Sequence, residues 1–208
     1  MANDTMIIEG YAIVFNEMTM LYEVDGIKLY EVIDPRALQG ADLSDVLLKY
    51  NHSDEVFVLA GVRNGSLQLI PDSKGLKVRA EIANISAGRD LFELIKTRLL
   101  DKMSFAFTVA EEDYDKDKRL KTIRRIKKLW DCAVVSVPAY PQTSVSILRD
   151  ETRIKDFQNH KLRVAKERVR SMADDGVNDI QKAKQKYNRL SLMKADIDKT
   201  LKDWEVKR

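Results

Sequence analysis

The chain has 208 residues, 44% hydrophobic and 33% charged, with a formal net charge of +3, which suits one domain of about 150 residues plus an appendage. No apolar run approaches the roughly 20 residues of a membrane helix, and the first ten residues lack the basic and apolar regions of a signal peptide. One cysteine, Cys132, and two histidines, His52 and His160, exclude an internal disulfide and a zinc constellation. Packing alone must hold the fold, no metal or other cofactor is expected, and the protein is expected in the cytoplasm where it is made.

Residues 6–148 read as mostly strand. Ile7 to Phe15 is apolar with a glycine interruption, and Pro35 to Gly40 could start a short helix. Val46-Leu47-Leu48 leads to Tyr50-Asn51-His52, a strand and its end. Val56 to Val62 and Ser66 to Ile70 flank Arg63-Asn64-Gly65, a hairpin signal. Pro71 to Gly75 is a turn and Leu76 to Ile82 alternates. Ser86 to Leu100 carries Leu91, Leu94, Ile95 and Leu99 at helical spacing, with Ser86 as N-cap. Met103 to Val109, an acidic loop from Glu111 to Lys118, Lys121 to Leu129 and Asp131 to Val137 complete an all-β pattern. Short strands at close spacing favour a barrel or sandwich.

Composition changes after Leu148. Residues 151–208 carry 16 Lys and Arg against 10 Asp and Glu, which leaves 20 against 23 for residues 1–150. Ile180, Tyr187, Lys194 and Leu201 alternate with Ala183, Leu190, Ile197 and Trp204 at steps of three and four, a coiled-coil seam with one polar position. Gly176 is the expected break between two helical pieces. The expected organisation is therefore a β domain over 1–148 and a charged helical, coiled-coil-like tail over 149–208. Interspersed Lys and Asp describe a solvated helix face, and nucleic acid is a less favoured partner for it.

Three residues can be cast as a hydrolytic set. A serine hydroxyl needs an imidazole to take its proton, and the imidazole needs a group to orient it. His52 closes a strand; His160 sits in a charged helical stretch, which leaves His52 as the candidate base. Ser104 stands in Lys102-Met103-Ser104-Phe105-Ala106-Phe107, where alternation puts Ser104, Ala106 and Thr108 on one face and the phenylalanines on the other. The phenylalanines would then bury and the serine face a cleft. Asp131 opens the apolar strand Cys132 to Val137, and Cys132 should face away from it into the core. Each residue also has an ordinary reading. Ser104 would be a polar strand residue, His52 a surface or core histidine, and Asp131 an exposed strand end.

In order, these segments resemble the tailed-phage prohead protease family over roughly residues 8–148. The resemblance lies in Gly10-Tyr11-Ala12 with Phe15-Asn16, Tyr30-Glu31-Val32-Ile33 with Pro35 and Ala37-Leu38, and Leu48-Lys49-Tyr50-Asn51-His52 followed by Leu59-Ala60-Gly61. It continues through Asp72 with Gly75-Leu76, Lys102 to Phe107, and Val134-Val135-Ser136-Val137-Pro138-Ala139. The family's histidine maps onto His52, its nucleophilic serine onto Ser104, and its acidic residue, usually glutamate, onto Asp131. Ala106 stands where glycine is common, and Tyr140 where asparagine is frequent.

The resemblance implies a mainly β fold with flanking helices, a herpesvirus-protease-like β-barrel. It implies a serine endopeptidase that cuts scaffold protein, major capsid protein and itself inside an assembling prohead in the host cytoplasm. Self-association to a homo-oligomer is expected, and self-cleavage is expected between Arg149 and Asp179. A non-enzymatic assembly factor using the same barrel and tail is the alternative.

Overall fold

Apolar runs and apolar–polar alternation form the strands, and in the computed structural model, which describes residues 5–172, they pair as two sheets. One sheet is antiparallel, in the order β10 (Ser144–Ile147), β1 (Ile7–Val14), β7 (Gly75–Glu81), β6 (Leu67–Pro71). The other runs β2 (Thr19–Val24), β3 (Ile27–Ile33), β9 (Leu120–Val135), β4 (Leu47–Tyr50), β5 (Ala60–Gly61), with β8 (Lys102–Asp115) also paired to β9. β3 and β4 both run parallel to β9, beside Leu120–Ile123 and Asp131–Val134 respectively, while β8 is antiparallel to it over its whole length. Ile8, Ile13, Leu76 and Val78 from the first sheet and Leu48, Met103, Ile123, Leu129 and Val134 from the second are fully buried in one core.

The expected mainly β architecture is present, but no closed barrel forms among the described residues. The sheets meet at two seams where a side-chain hydroxyl does part of the work of a ladder. At one, the Thr143 hydroxyl accepts from Met103 N at 3.1 Å and donates to Met103 O at 2.6 Å, beside the bond from Val145 N to Asp101 O. At the other, the Ser66 hydroxyl accepts from Gly61 N at 2.9 Å. Arg63-Asn64-Gly65 is a turn, with Gly65 at φ +73°, but it carries the chain from one sheet to the other. The hairpin expected there does not form, because Asn64 Oδ1 takes the Ser66 N–H and hydroxyl instead.

Other expectations are corrected locally. Pro35 to Gly40 is a run of turns: Ala37 N reaches Asp34 O, Gln39 N reaches Arg36 O, and Gly40 at φ +76° ends it. The acidic stretch from Glu111 is mostly strand, because Glu112 pairs with Lys121 and Asp113 with Arg124 across the β8–β9 hairpin. Helix α1 covers Ser86–Lys96 with Ile85, not Ser86, at the N-cap. It buries Leu91 and Ile95, but Leu99 is exposed because Arg98, at φ 59°, turns the chain after the helix has ended.

The chain divides into two compact units, 1–164 and 165–208. A helix over residues 151–172 starts where Asp150 Oδ1 accepts from Arg153 N at 3.0 Å. Its first part belongs to the β unit. Phe157 is fully buried, Arg153 joins Arg79 on Glu9, and Lys161 pairs with Glu81 at 2.7 Å. Burying such a phenylalanine is worth about 2–3 kcal/mol. Gly176 and the heptad positions from Ile180 to Trp204 lie outside the described residues.

Asp34, at the end of β3, ties β3 to β9. It accepts from Arg36 N, from the Arg36 guanidinium and from Arg124 at 2.8 Å, and these bonds, the Arg36 side chain foremost, hold its carboxyl at about 2. A depressed folded value contributes stability above the unfolded value and loses it as pH falls through the folded one. We therefore expect Asp34→Asn to cost about 1–2 kcal/mol at neutral pH, discounted for the exposed arginines. The difference from wild type should shrink between about pH 4 and pH 2 in urea denaturation.

Candidate active site

β4, β9 and β8 lie side by side with β9 in the middle, and their registers decide which side chains share a surface. Asp131 sits opposite Leu47 on β4 and Ala106 on β8; Ala133 sits opposite Lys49 and Ser104. Directly opposed residues point to the same side of a sheet, so Lys49, Asp131, Ser104 and Ala106 share one face. Leu48, Cys132, Val134, Met103 and Phe105 share the other and are buried in the core. Phe105 packs there against Phe107 and Tyr140, with ring centres 5.1 and 5.0 Å away. The Cys132 thiol faces away from Asp131 and burial pushes its pKa up, which makes it an inert core group.

A β-bulge brings Asp131 to that face. Leu129 and Asp131 pair with the adjacent residues Phe107 and Ala106, so Trp130 is an extra residue in β9. In a regular strand Leu129 and Asp131 would point the same way. With the bulge, Leu129 stays fully buried in the core while Asp131 turns to the opposite side. Trp130 itself is turned out, its indole N–H donating to Thr108 Oγ1 at 2.8 Å with the Lys128 ammonium 4.3 Å from the ring centre.

The chain leaves β4 through Asn51 and His52, both left-handed at φ 50° and 55°. This conformation costs about 1–2 kcal/mol per non-glycine residue, somewhat less for asparagine. Asn51 N bonds to Val134 O, and Asn51 Oδ1 accepts from Ser136 N, each at 2.9 Å, so the end of β9 clamps the turn. The turn directs the imidazole back over β9, where His52 Nδ1 lies 2.5 Å from Asp131 Oδ1. The Asp131 side chain is 7% exposed and that of His52 33%. With Nδ1 engaged, Nε2 is the ring nitrogen left to exchange a proton with another group.

Of the three residues singled out in the sequence, the structure thus joins His52 to Asp131 directly. Ser104 lies on β8, across β9 from β4, on the same face as Asp131. It is buried, at 7% exposure. No hydrogen bond joins Ser104 to His52 among the described residues; such bonds are often long without substrate. A separate cleft of about 1250 Å³, walled by α1, β5 and residues 147–149, contains none of the three. Sequence reasoning gave no role in the site to Lys49, Asn51, Trp130 or Ser136. An asparagine before a histidine at a strand end is a weak sign of a left-handed turn, whereas nothing local announces the bulge.

The profile of the caudovirus prohead serine protease family matches residues 1–163. The prohead protease of Enterobacteria phage HK97 is 29% identical over 161 residues, covering 74% of this chain and 66% of the relative, just under two thirds of its length. Among solved structures, the KSHV protease in complex with a hexapeptide phosphonate inhibitor aligns over 77% of this chain and 76% of that one, at 12% identity and a TM-score of 0.46.

Asn51 offers a test of the turn. Asn51→Ala and Asn51→Gly both lose the bond to Ser136, but only alanine pays the left-handed penalty. We expect the alanine variant to be less stable than the glycine variant by about 1 kcal/mol in denaturant melts; equal stability would contradict the role given to this turn.

Proposed function

The chain belongs to the caudovirus prohead serine protease family, and on that premise we propose that it is a serine endopeptidase that processes capsid or scaffold protein, and itself, during prohead maturation. The observation that carries the reading is the 2.5 Å contact between His52 Nδ1 and Asp131 Oδ1 on the face that also bears Ser104. That pairing is what a general base requires: one ring nitrogen held by a carboxylate, the other free toward a hydroxyl.

In this reading Ser104 Oγ attacks the scissile carbonyl as His52 Nε2 takes its proton. The same proton then passes to the leaving amine, and a water molecule, deprotonated by His52, frees the acyl group. Asp131 holds the imidazole in the tautomer with its proton on Nδ1 and stabilises the imidazolium. It does not itself take up the proton. Burial of Asp131 strengthens this interaction, since a low local dielectric screens it little.

The basic segment beyond the β unit fits a delivery element that co-assembles with scaffold and is cut away later, and self-association through it fits a homo-oligomer. Because residues up to 164 contribute to the β unit, the informative truncation begins after residue 172. It should leave peptide cleavage intact and reduce incorporation into proheads.

The direct test is intact-mass spectrometry of the protein incubated with its capsid protein. Wild type should clip itself or the capsid protein, and Ser104→Ala should leave both whole. Asp131→Asn should lower kcat by about 10³–10⁴-fold, since it removes the charge and the correct tautomer. If Ser104→Ala processes capsid protein at the wild-type rate, Ser104 is not the nucleophile. If wild type cleaves nothing at any concentration, the non-enzymatic assembly factor becomes the better reading.

A further inference from the structure

Asp131 has a second oxygen, and a lysine ammonium addresses it. Lys49 shares the site face, in register with Ala133. Its Nζ lies 3.7 Å from Asp131 Oδ2 and 2.5 Å from Asp54 Oδ1. The Lys49 side chain is 15% exposed and that of Asp54 90%. The ammonium thus sits between an inner carboxylate, whose other oxygen holds His52, and an outer one that has drawn it closer.

From this geometry we infer that Lys49 is a positioning residue that fixes the Asp131 carboxylate and offsets part of its charge, and that Asp54 sets how much by holding the ammonium toward solvent. The inference rests on the reading of His52, Ser104 and Asp131 as the catalytic set. A cation close to a carboxylate weakens that carboxylate's attraction for an imidazolium, so Lys49 keeps the imidazole in its base form at lower pH than Asp131 alone would allow. Asp54 opposes this by pulling the ammonium outward. The Asp54 hydrogen bond and the Asp131 charge both keep Lys49 protonated, so its charge persists throughout the range in which an imidazole titrates.

Of the other charged groups on the surrounding elements, Lys128 and Lys102 have partners of their own and Glu55 faces solvent. On β9, Lys128 is held by Asp42 at 3.4 Å and by the Trp130 ring. On β8, Lys102 donates to Thr143 O at 3.2 Å. Glu55, in the turn after His52, is exposed and its backbone N–H bonds to Ser53 Oγ. Lys49 and Asp54 are therefore the pair whose removal alters the charge beside Asp131.

The two variants move the site in opposite directions, which a merely structural role would not do. Lys49→Met should shift the acid limb of the kcat/KM profile upward by about one pH unit, and Asp54→Asn should shift it downward by a smaller amount. Lys49→Arg, which keeps the charge, should stay near wild type. The same shifts are read without catalysis by NMR titration of the His52 ring protons, distinguished from His160 in a His160→Gln background. Coincident wild-type, Lys49→Met and Asp54→Asn titrations would overturn the inference. A protein that shows the opposed NMR shifts but no Ser104-dependent cleavage would retain the Lys49–Asp54 coupling and refute the protease reading.

Discussion

The contact between His52 and Asp131 depends on one extra residue in a strand. β9 must present Leu129 to the core and, two positions later, a carboxylate to the opposite face, which a regular strand cannot do. The Trp130 bulge supplies the half-turn. The exposed indole is held there by Thr108 and Lys128, so the extra residue is fixed from outside instead of crowding the core. A buried carboxylate would be costly if it were unpaired. Here each oxygen meets a cationic or donor group, His52 on one side and Lys49 on the other.

The sheets around this point make the arrangement rigid. β9 is flanked along one edge by β8 and along the other by β3 and β4 in succession, so Ser104 and the turn that bears His52 are set by backbone registers rather than by loops. Two left-handed residues at the end of β4 are tolerated because Val134 and Ser136 anchor Asn51. Strain of this kind persists where the surroundings over-determine it, and it clusters at functional sites. The Thr143 seam ties the start of β8 to β10, and the Phe105–Tyr140 contact packs beneath it.

Much of this could be read from the residues alone. Apolar runs located β1 and the strand that Asp131 opens, alternation located β7 and the strand around Ser104, and the apolar stripe located α1. Alternation also placed Cys132 opposite Asp131. What failed depended on contacts and turns that the hydrophobic pattern of one segment does not show. The acidic stretch after Glu111 looks like a loop until Lys121 and Arg124 stand across from it, and Asn64-Gly65 looks like a hairpin until Ser66 claims the asparagine. Leu99 continues the helical stripe on paper but falls after the helix has ended. The candidate site was legible as three residue types in suggestive settings. Its actual geometry, set by the bulge, the strained turn and Lys49, arises from pairing between strands and leaves little trace in any one segment.

The most direct measurement is covalent labelling with a fluorophosphonate, which reacts with a serine only when a base activates it, followed by tandem mass spectrometry of the adduct. The account predicts modification at Ser104, lost in a His52→Ala variant that remains folded. Modification at another serine, or equal labelling of Ser104 without His52, would contradict it.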